Sequence, residues 1–379
     1  MFFLTPRYIK EAKHYRHALK RIIHYKEDIL PEADLATLRG LLEDLKAAIR
    51  ARNREKLARI REEIDRATNR IVPPPPDAGR RENIEVILVA IVIAAGVRAY
   101  FLQPFKIPTG SMQPTLYGIV GTRTETPPPN LLVRAFQMVW LGRHYIDLKA
   151  KTDDVIQEVS EKTYANFFTF STIRGARSSY TLFAPAATLR DYFRVFPGRR
   201  LTAGEVIARG YIDTGDQVFV DKMSYNFVPP ALGDVFVFKT IGIERIQENL
   251  PPNVDSQHYI KRLAGMPGQT LRIDPPKLFI DGQVPQEFVF RRVMSMENGY
   301  QGYSNWPAPP WPGMEPRPFP ILGNPSAEYT VPPHHYFALG DNSYHSSDSR
   351  YWGPVPEQNV AGRGLFVYWP FSKRWGFIR

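Results

Sequence analysis

The chain has 379 residues with 43% hydrophobic content, enough for two or three ordinary domains with a sizeable core. It contains no cysteine, which excludes disulfides, thiolate metal sites and cysteine nucleophiles. The net charge of +11 is uneven: residues 1–81 hold 19 Lys+Arg against 12 Asp+Glu, and the other 298 residues carry only +4.

Residues 7–29 and 32–71 read as two helical segments parted at Pro31, and an antiparallel hairpin is expected. Leu38, Leu42, Leu45 and Ile49 recur at helical steps, and Leu57, Ile60, Ile64, Ala67 and Ile71 continue them with a slip of phase. Residues 1–72 could take a protein partner. Nucleic acid is not expected, because the basic stretch lacks aromatic stacking positions and a recognised binding motif. Pro73–Pro76 then stops the helix as a stiff spacer.

From Ile84 to Val97 the side chains are nearly all apolar, broken by Glu85, and the run extends through Arg98 to Leu102. Roughly twenty positions suffice to cross a bilayer core of about 30 Å. Arg80-Arg81 before the run and Tyr100-Phe101 after it suit one membrane span over residues 82–103, with membrane lipid around it. That arrangement puts residues 1–80 in the cytoplasm and everything after Gln103 outside. A buried helix of a soluble protein is the competing reading.

After Pro104 the texture becomes β-rich. Runs at 217–220, 234–238, 277–280 and 336–339 alternate with Gly, Pro and Asp turns, and Asp281-Gly282 is a hairpin-turn signal. The expected fold is mainly β: twisted antiparallel sheets with a partly barrel-like core formed by 104–120 and 211–379. Residues 121–210 read as an inserted subdomain, with an apolar run at 133–140, a strand at 145–148 and a helix over Asp153–Thr163. A second insertion, 298–329, is rich in proline and tryptophan and suits an ordered loop packed on a sheet, a membrane-surface contact or a proline-recognition ligand.

Three segments could carry chemistry. Ser111 sits in Thr109-Gly110-Ser111-Met112, stiffened by Pro108 and Pro114, where a plain turn and a presented nucleophile are both open readings. A serine needs a base. None of His144, His258, His334, His335 and His345 sits in a context that specifies a triad. Lys261 is bracketed by apolar residues. If strand alternation turned it inward, desolvation would favour its neutral amine, whereas an exposed strand lysine would do nothing. The third segment, Gly340 to Gly353, is a polar loop in which a serine could orient that amine and Asp348 could pair with Arg350. Its oxygen ligands do not follow a calcium-loop pattern, so no metal or cofactor is expected.

Taken together, IPTGSMQPTL (107–116), TGDQVFVDKMSY (214–225), LGDVFVF (232–238), YIKRLAGMPG (259–268) and ALGDNSYHSSDSRYWGPVP (338–356) resemble the bacterial type I signal peptidases, membrane-bound Ser-Lys proteases. The resemblance covers about 84–120 and 211–370. It implies Ser111 as acylating nucleophile, Lys261 as general base, and the Ser111 amide with the Thr109 hydroxyl as oxyanion donors. It also implies Ser346 as the residue that hydrogen-bonds the base, with Asp348 and Arg350 supporting the loop. Many family members carry serine where this chain has Thr109, and a charged Arg-Asp followed by Asn where it has Ser343-Tyr344-His345. The implied activity is removal of amino-terminal signal peptides from secretory precursors after small residues, at the cytoplasmic membrane. A cytoplasmic self-cleaving Ser-Lys regulator and a catalytically silent membrane scaffold are the competing classes.

Overall fold

A computed structural model of the chain describes residues 6–73, 77–164, 168–248, 256–309 and 316–379. Pro74–Pro76 of the expected spacer and Pro310–Pro312 of the Pro/Trp run lie outside them. The chain divides into two compact units, Met1–Val92 and Ile93–Arg379.

Residues 7–71 form three helices where two were expected: α1 (Arg7–Lys26), α2 (Glu32–Ala51) and α3 (Arg54–Ile71). The break falls in the expected second segment. Arg52 takes a left-handed conformation (φ 50°), and the Asn53 side chain caps α3 by accepting from the Lys56 amide at 2.9 Å. The slip of phase between Ile49 and Leu57 therefore records a turn between helices, not drift along one. Leu19, Leu35, Leu38 and Leu45 are almost fully buried in the shared core, each stabilising by about 1.5–3 kcal/mol.

Helix α4 (Ala78–Tyr100) contains a 22-residue candidate span, Gly79–Tyr100, whose apolar 18-residue window has a mean hydropathy of 1.8 and no buried residue. At 1.5 Å per residue its length is about 33 Å, enough to cross a hydrocarbon core.

In the second unit every strand pair is antiparallel. Following α4 come β1 (Leu102–Lys106) and β2 (Val120–Arg123), then helix α5 (Leu131–Leu141). The inserted subdomain continues with β3 (Arg143–Lys149), β4 (Asp154–Tyr164), β5 (Phe168–Gly175), β6 (Ser179–Leu182), helix α6 (Ala186–Phe193), β7 (Arg200–Leu201) and β8 (Val206–Asp213). The chain then forms β9 (Gln217–Asp221), β10 (Val235–Lys239), β11 (His258–Gly265), β12 (Thr270–Asp274), β13 (Lys277–Ile280) and β14 (Glu328–Thr330). Last come β15 (His335–Leu339), β16 (Val355–Pro356), β17 (Val360–Trp369) and β18 (Gly376–Phe377).

The principal sheet runs β1-β9-β17-β10-β11-β15-β16, with β18 on β17. It curls strongly. β1 and β11 stand four places apart, roughly 19 Å in a flat sheet, yet the rings of Phe105 and His258 are 5.1 Å apart. Register shifts in β10, β11 and β17 supply the extra twist. Smaller sheets, β13-β12-β14, β2-β8-β3 and β6-β5-β4-β7, complete the mainly β architecture. Asp281-Gly282 turns with both φ values positive, but it closes only the Ile280–Gln283 bridge.

One expectation for the insertion fails. Residues Asp154–Tyr164 form a strand, not a helix, because they pair along their length with β5, whose Thr, Phe and Ile side chains suit a sheet. The Asp154 carboxylate fixes the far turn by accepting from the Ala176 and Arg177 amides and the Ser178 hydroxyl. Ile156, Ile173, Leu189, Phe193 and Ile207 then bury a core of the insertion's own. Within 298–329 the described residues are ordered: Asn305 donates to the carbonyls of Ile273 and Leu322, and Tyr303 is 1% exposed.

Candidate active site

β1 ends by delivering Ile107 into the core, and the following turn is held from several sides. Met112 and Leu116 are fully buried. The Asn342 side chain donates to the Gly110 carbonyl at 3.0 Å, and its amide donates to the Ser111 carbonyl at 3.1 Å. Behind the turn, Asp216 accepts from the Tyr117 amide and from the Arg374 guanidinium. A Cβ on Gly118 would strike the Thr109 backbone, so this close approach requires glycine there.

Lys261 lies in β11 opposite Phe236 of β10, and its neighbours Ile260 and Arg262 point to the other face. Its amine is buried (4% exposed) and donates to the Ser111 hydroxyl at 2.5 Å, across 150 residues of sequence. Burial pushes the Lys261 pKa down to about 8 from the ordinary 10.5; nearby Asp348 and Asp341 oppose the shift and Arg350 reinforces it.

The other expected residues distribute unevenly. The Thr109 hydroxyl stands 3.5 Å from that of Ser111, on the rim of hydrogen-bonding distance. Ser346 is buried near Ser111, since a Cβ on Gly340 would meet the Ser346 hydroxyl and the Ser111 carbonyl together. No hydrogen bond joins Ser346 to Lys261, however, and its hydroxyl is unpaired among the described residues. Asp348 and Arg350 form a bidentate pair at 2.8 and 2.6 Å, both fully buried. Asp348 also accepts from the Gly340 amide at 3.0 Å, while Arg350 donates to the Ser304 carbonyl and to Ser343. The second insertion is thereby tied to the loop that flanks the serine.

A second buried pair escaped sequence reasoning. Arg262 donates to both carboxylate oxygens of Asp341, at 2.7 and 2.5 Å, and Asp341 also accepts from Thr115. It pins the turn after Ser111 to the 340–342 loop from the face of β11 opposite Lys261. The adjacency of Lys261 and Arg262 was its only signal in the sequence.

Gly340→Ala should displace Ser346 or Ser111 and lower turnover on the order of 100-fold, as a misplacement near 1 Å can. Cleavage rates alongside near-UV circular dichroism would check it; an unchanged rate would show that the gap is not needed.

Among the described residues, β15 pairs with β11 only from Arg262 onward, and β1 pairs only with β9. The start of β11 and the outer side of β1 are therefore two unpaired strand edges facing each other across the curl, next to the Ser111–Lys261 contact. A cavity of about 890 Å³ borders the same region, lined by Tyr259, Pro309, Tyr344, Ser346, Ser347 and Trp352; Ser111 itself does not line it. No cluster of three or more His, Asp or Glu side chains suited to a metal occurs among the described residues.

Comparison with known proteins shows the family. The sequence model of "Signal peptidase, peptidase S26" matches residues 209–369. "Probable signal peptidase I-1" of Synechocystis sp. is 32% identical over 166 residues, 44% of this chain and 67% of that protein. The chain belongs to the signal peptidase family, peptidase S26. Signal peptidase I of Leptolyngbya laminosa is 32% identical over 43% of this chain and 64% of its own length. "Thylakoidal processing peptidase 1, chloroplastic" of Arabidopsis thaliana is 32% identical over 43% of this chain and 39% of its own length. The chain thus spans between about two fifths and two thirds of these S26 relatives. Lys261, Ser346, Asp348 and Arg350 fall inside the stretch matched by the family, whereas Thr109 and Ser111 precede it.

Proposed function

We propose that this S26 peptidase removes amino-terminal signal peptides from secretory precursors, with Ser111 as nucleophile and Lys261 as general base. The observation that carries the reading is the 2.5 Å contact between two buried groups, one of them an amine shifted toward its neutral form. An extended precursor segment adds between the free edges of β1 and β11, which places its scissile carbonyl at Ser111.

With Lys261 neutral, the Ser111 oxygen attacks the carbonyl carbon as its proton passes to the amine. The oxyanion is stabilised by the Ser111 amide and the Thr109 hydroxyl. Lys261 then gives that proton to the leaving amine, and the peptide bond breaks to an ester on Ser111. Water attacks the ester while Lys261 again takes a proton, which returns to Ser111 as the acid product leaves. Ser346, buried beside Gly340, is placed to orient the amine once substrate closes the site. Asp348 and Arg350 hold the loop.

Residues 104–120 and 211–379 form the peptidase body in this reading, with 121–210 inserted. α4 anchors it as a single pass, with residues 1–80 cytoplasmic and the peptidase body outside. The support is the apolar run of α4 and the basic pair Arg80-Arg81 in its first turn, ahead of that run.

The reading is tested by the pH dependence of precursor cleavage. Turnover should rise about tenfold per unit on the alkaline approach to a pKa near 8 and then level, because only the neutral amine accepts the proton. A rate independent of pH from about 6 to 9 would rule out Lys261 as the base.

A further inference from the structure

We infer that helix α5 of the inserted subdomain is a second membrane contact, lying in the hydrocarbon–headgroup boundary of a lipid bilayer. The inference rests on the membrane location proposed above.

α5 has the sequence LLVRAFQMVWL, and none of its residues is buried. Leu132 is 82% exposed, Val139 69% and Phe136 62%. At 100° per residue, its seven exposed large apolar side chains span an arc of about 220°. A helix seated in a protein groove presents a stripe of only about 100°. Such a broad arc suits lipid, which surrounds a helix on every side that the protein does not cover.

The remaining face is fastened to the body. Asn130 caps the first turn, and Gln137 accepts from the Tyr145 hydroxyl at 2.7 Å. The Trp369 indole donates to the Val139 carbonyl at 2.8 Å, and the Phe371 amide to that of Trp140 at 3.0 Å. The exposed apolar face is therefore held rigidly outward, not left on a frayed segment.

Two further observations favour lipid over a second copy of the chain. Trp140 stacks on Phe136 and lies 4.8 Å from Phe371, which continues to Trp375; amphipathic aromatic rings collect at a bilayer boundary. Arg134 is the one charged residue of α5, with a stem long enough to reach the headgroups. The placement is also within reach. Lys106, at the far end of β1, lies opposite Gln217, which pairs with Trp369 beside α5. Trp369, beside α5, is therefore four residues along and two strands across from Leu102, roughly 16 Å in a flat sheet.

Because the chain has no cysteine, single cysteines can report depth without further change. The full chain carrying Leu132→Cys, Phe136→Cys, Thr181→Cys or Val89→Cys would be labelled with an environment-sensitive fluorophore. It would be reconstituted into phosphatidylethanolamine/phosphatidylglycerol vesicles containing lipid spin-labelled high on the acyl chain. Probes at 132 and 136 should shift to the blue and lose most of their emission, while the probe at exposed Thr181 stays in water and responds to iodide. The probe at Val89, in α4, tests the membrane location by itself. A quenched Val89 probe with water-exposed probes at 132 and 136 would overturn the α5 contact and leave the location standing. If none of the three responds to lipid, both fail. Concentration-dependent disulfide crosslinking of unlabelled Leu132→Cys, with no lipid quenching of its labelled form, would assign the face to a second copy and also overturn the inference.

Discussion

Replacing Lys261 with methionine is expected to lower precursor cleavage on the order of 10⁴-fold while leaving the protein folded and, below pH 8, more stable. The two effects share one cause. A lysine whose pKa is lowered by burial binds fewer protons when folded than when unfolded, between its folded value of about 8 and the ordinary 10.5. Stability therefore rises with pH across that window, and below it the folded state carries the full penalty of a buried ammonium. Methionine fills a similar space without the charge and removes the penalty. Melting curves at pH 7 should show the variant above wild type, with the gap closing as the pH approaches the ordinary lysine value. A variant that melts lower at both pH values would mean that the amine is held by pairing rather than desolvated. Retained turnover would remove Lys261 from the chemistry.

The second large effect concerns Arg350. Its guanidinium is fully buried, stacks on Phe319 at 4.0 Å and joins Asp348, Ser304 and Ser343. Arg350→Ala would strand the Asp348 carboxylate without its counter-charge in a dry interior, a loss of about 3–5 kcal/mol. The double variant Asp348→Asn/Arg350→Met should lose less than Arg350→Ala, because no unpaired charge remains. Urea midpoints of both variants would check the ordering. If Arg350→Ala were within about 1 kcal/mol of wild type, the pair would not be the brace of this loop.

What could be read from the sequence was local or carried by motif. The apolar run of α4 is a one-dimensional signal, and helix Ala78–Tyr100 follows it closely. The short β-rich runs at 217–220, 234–238, 277–280 and 336–339 all fall on strands or their immediate ends, because turn residues bound them on both sides. Ser111 and Lys261 could be named as a candidate pair, but their contact could not, since it closes 150 residues of chain.

The misses have the same origin. Asp154–Tyr164 carries a helix-like scatter of apolar positions, and only its nonlocal partner β5 makes it a strand. The turn at Arg52-Asn53 is a single left-handed residue followed by a cap, too small an interruption to outweigh the leucine periodicity on either side. Ser346 is buried beside Gly340, yet its hydroxyl is unpaired among the described residues, because a motif carries spacing and not rotamer. The Arg262–Asp341 pair needs two segments 79 residues apart to meet.

The account stands most directly on Ser111. The deciding measurement is the initial rate of precursor cleavage at about pH 8 by the full chain in vesicles, wild type beside Ser111→Ala, with circular dichroism confirming equal folding. The account predicts cleavage after a small residue by wild type and a loss of at least about 10⁴-fold in the variant. Cleavage by Ser111→Ala at the wild-type rate would contradict it.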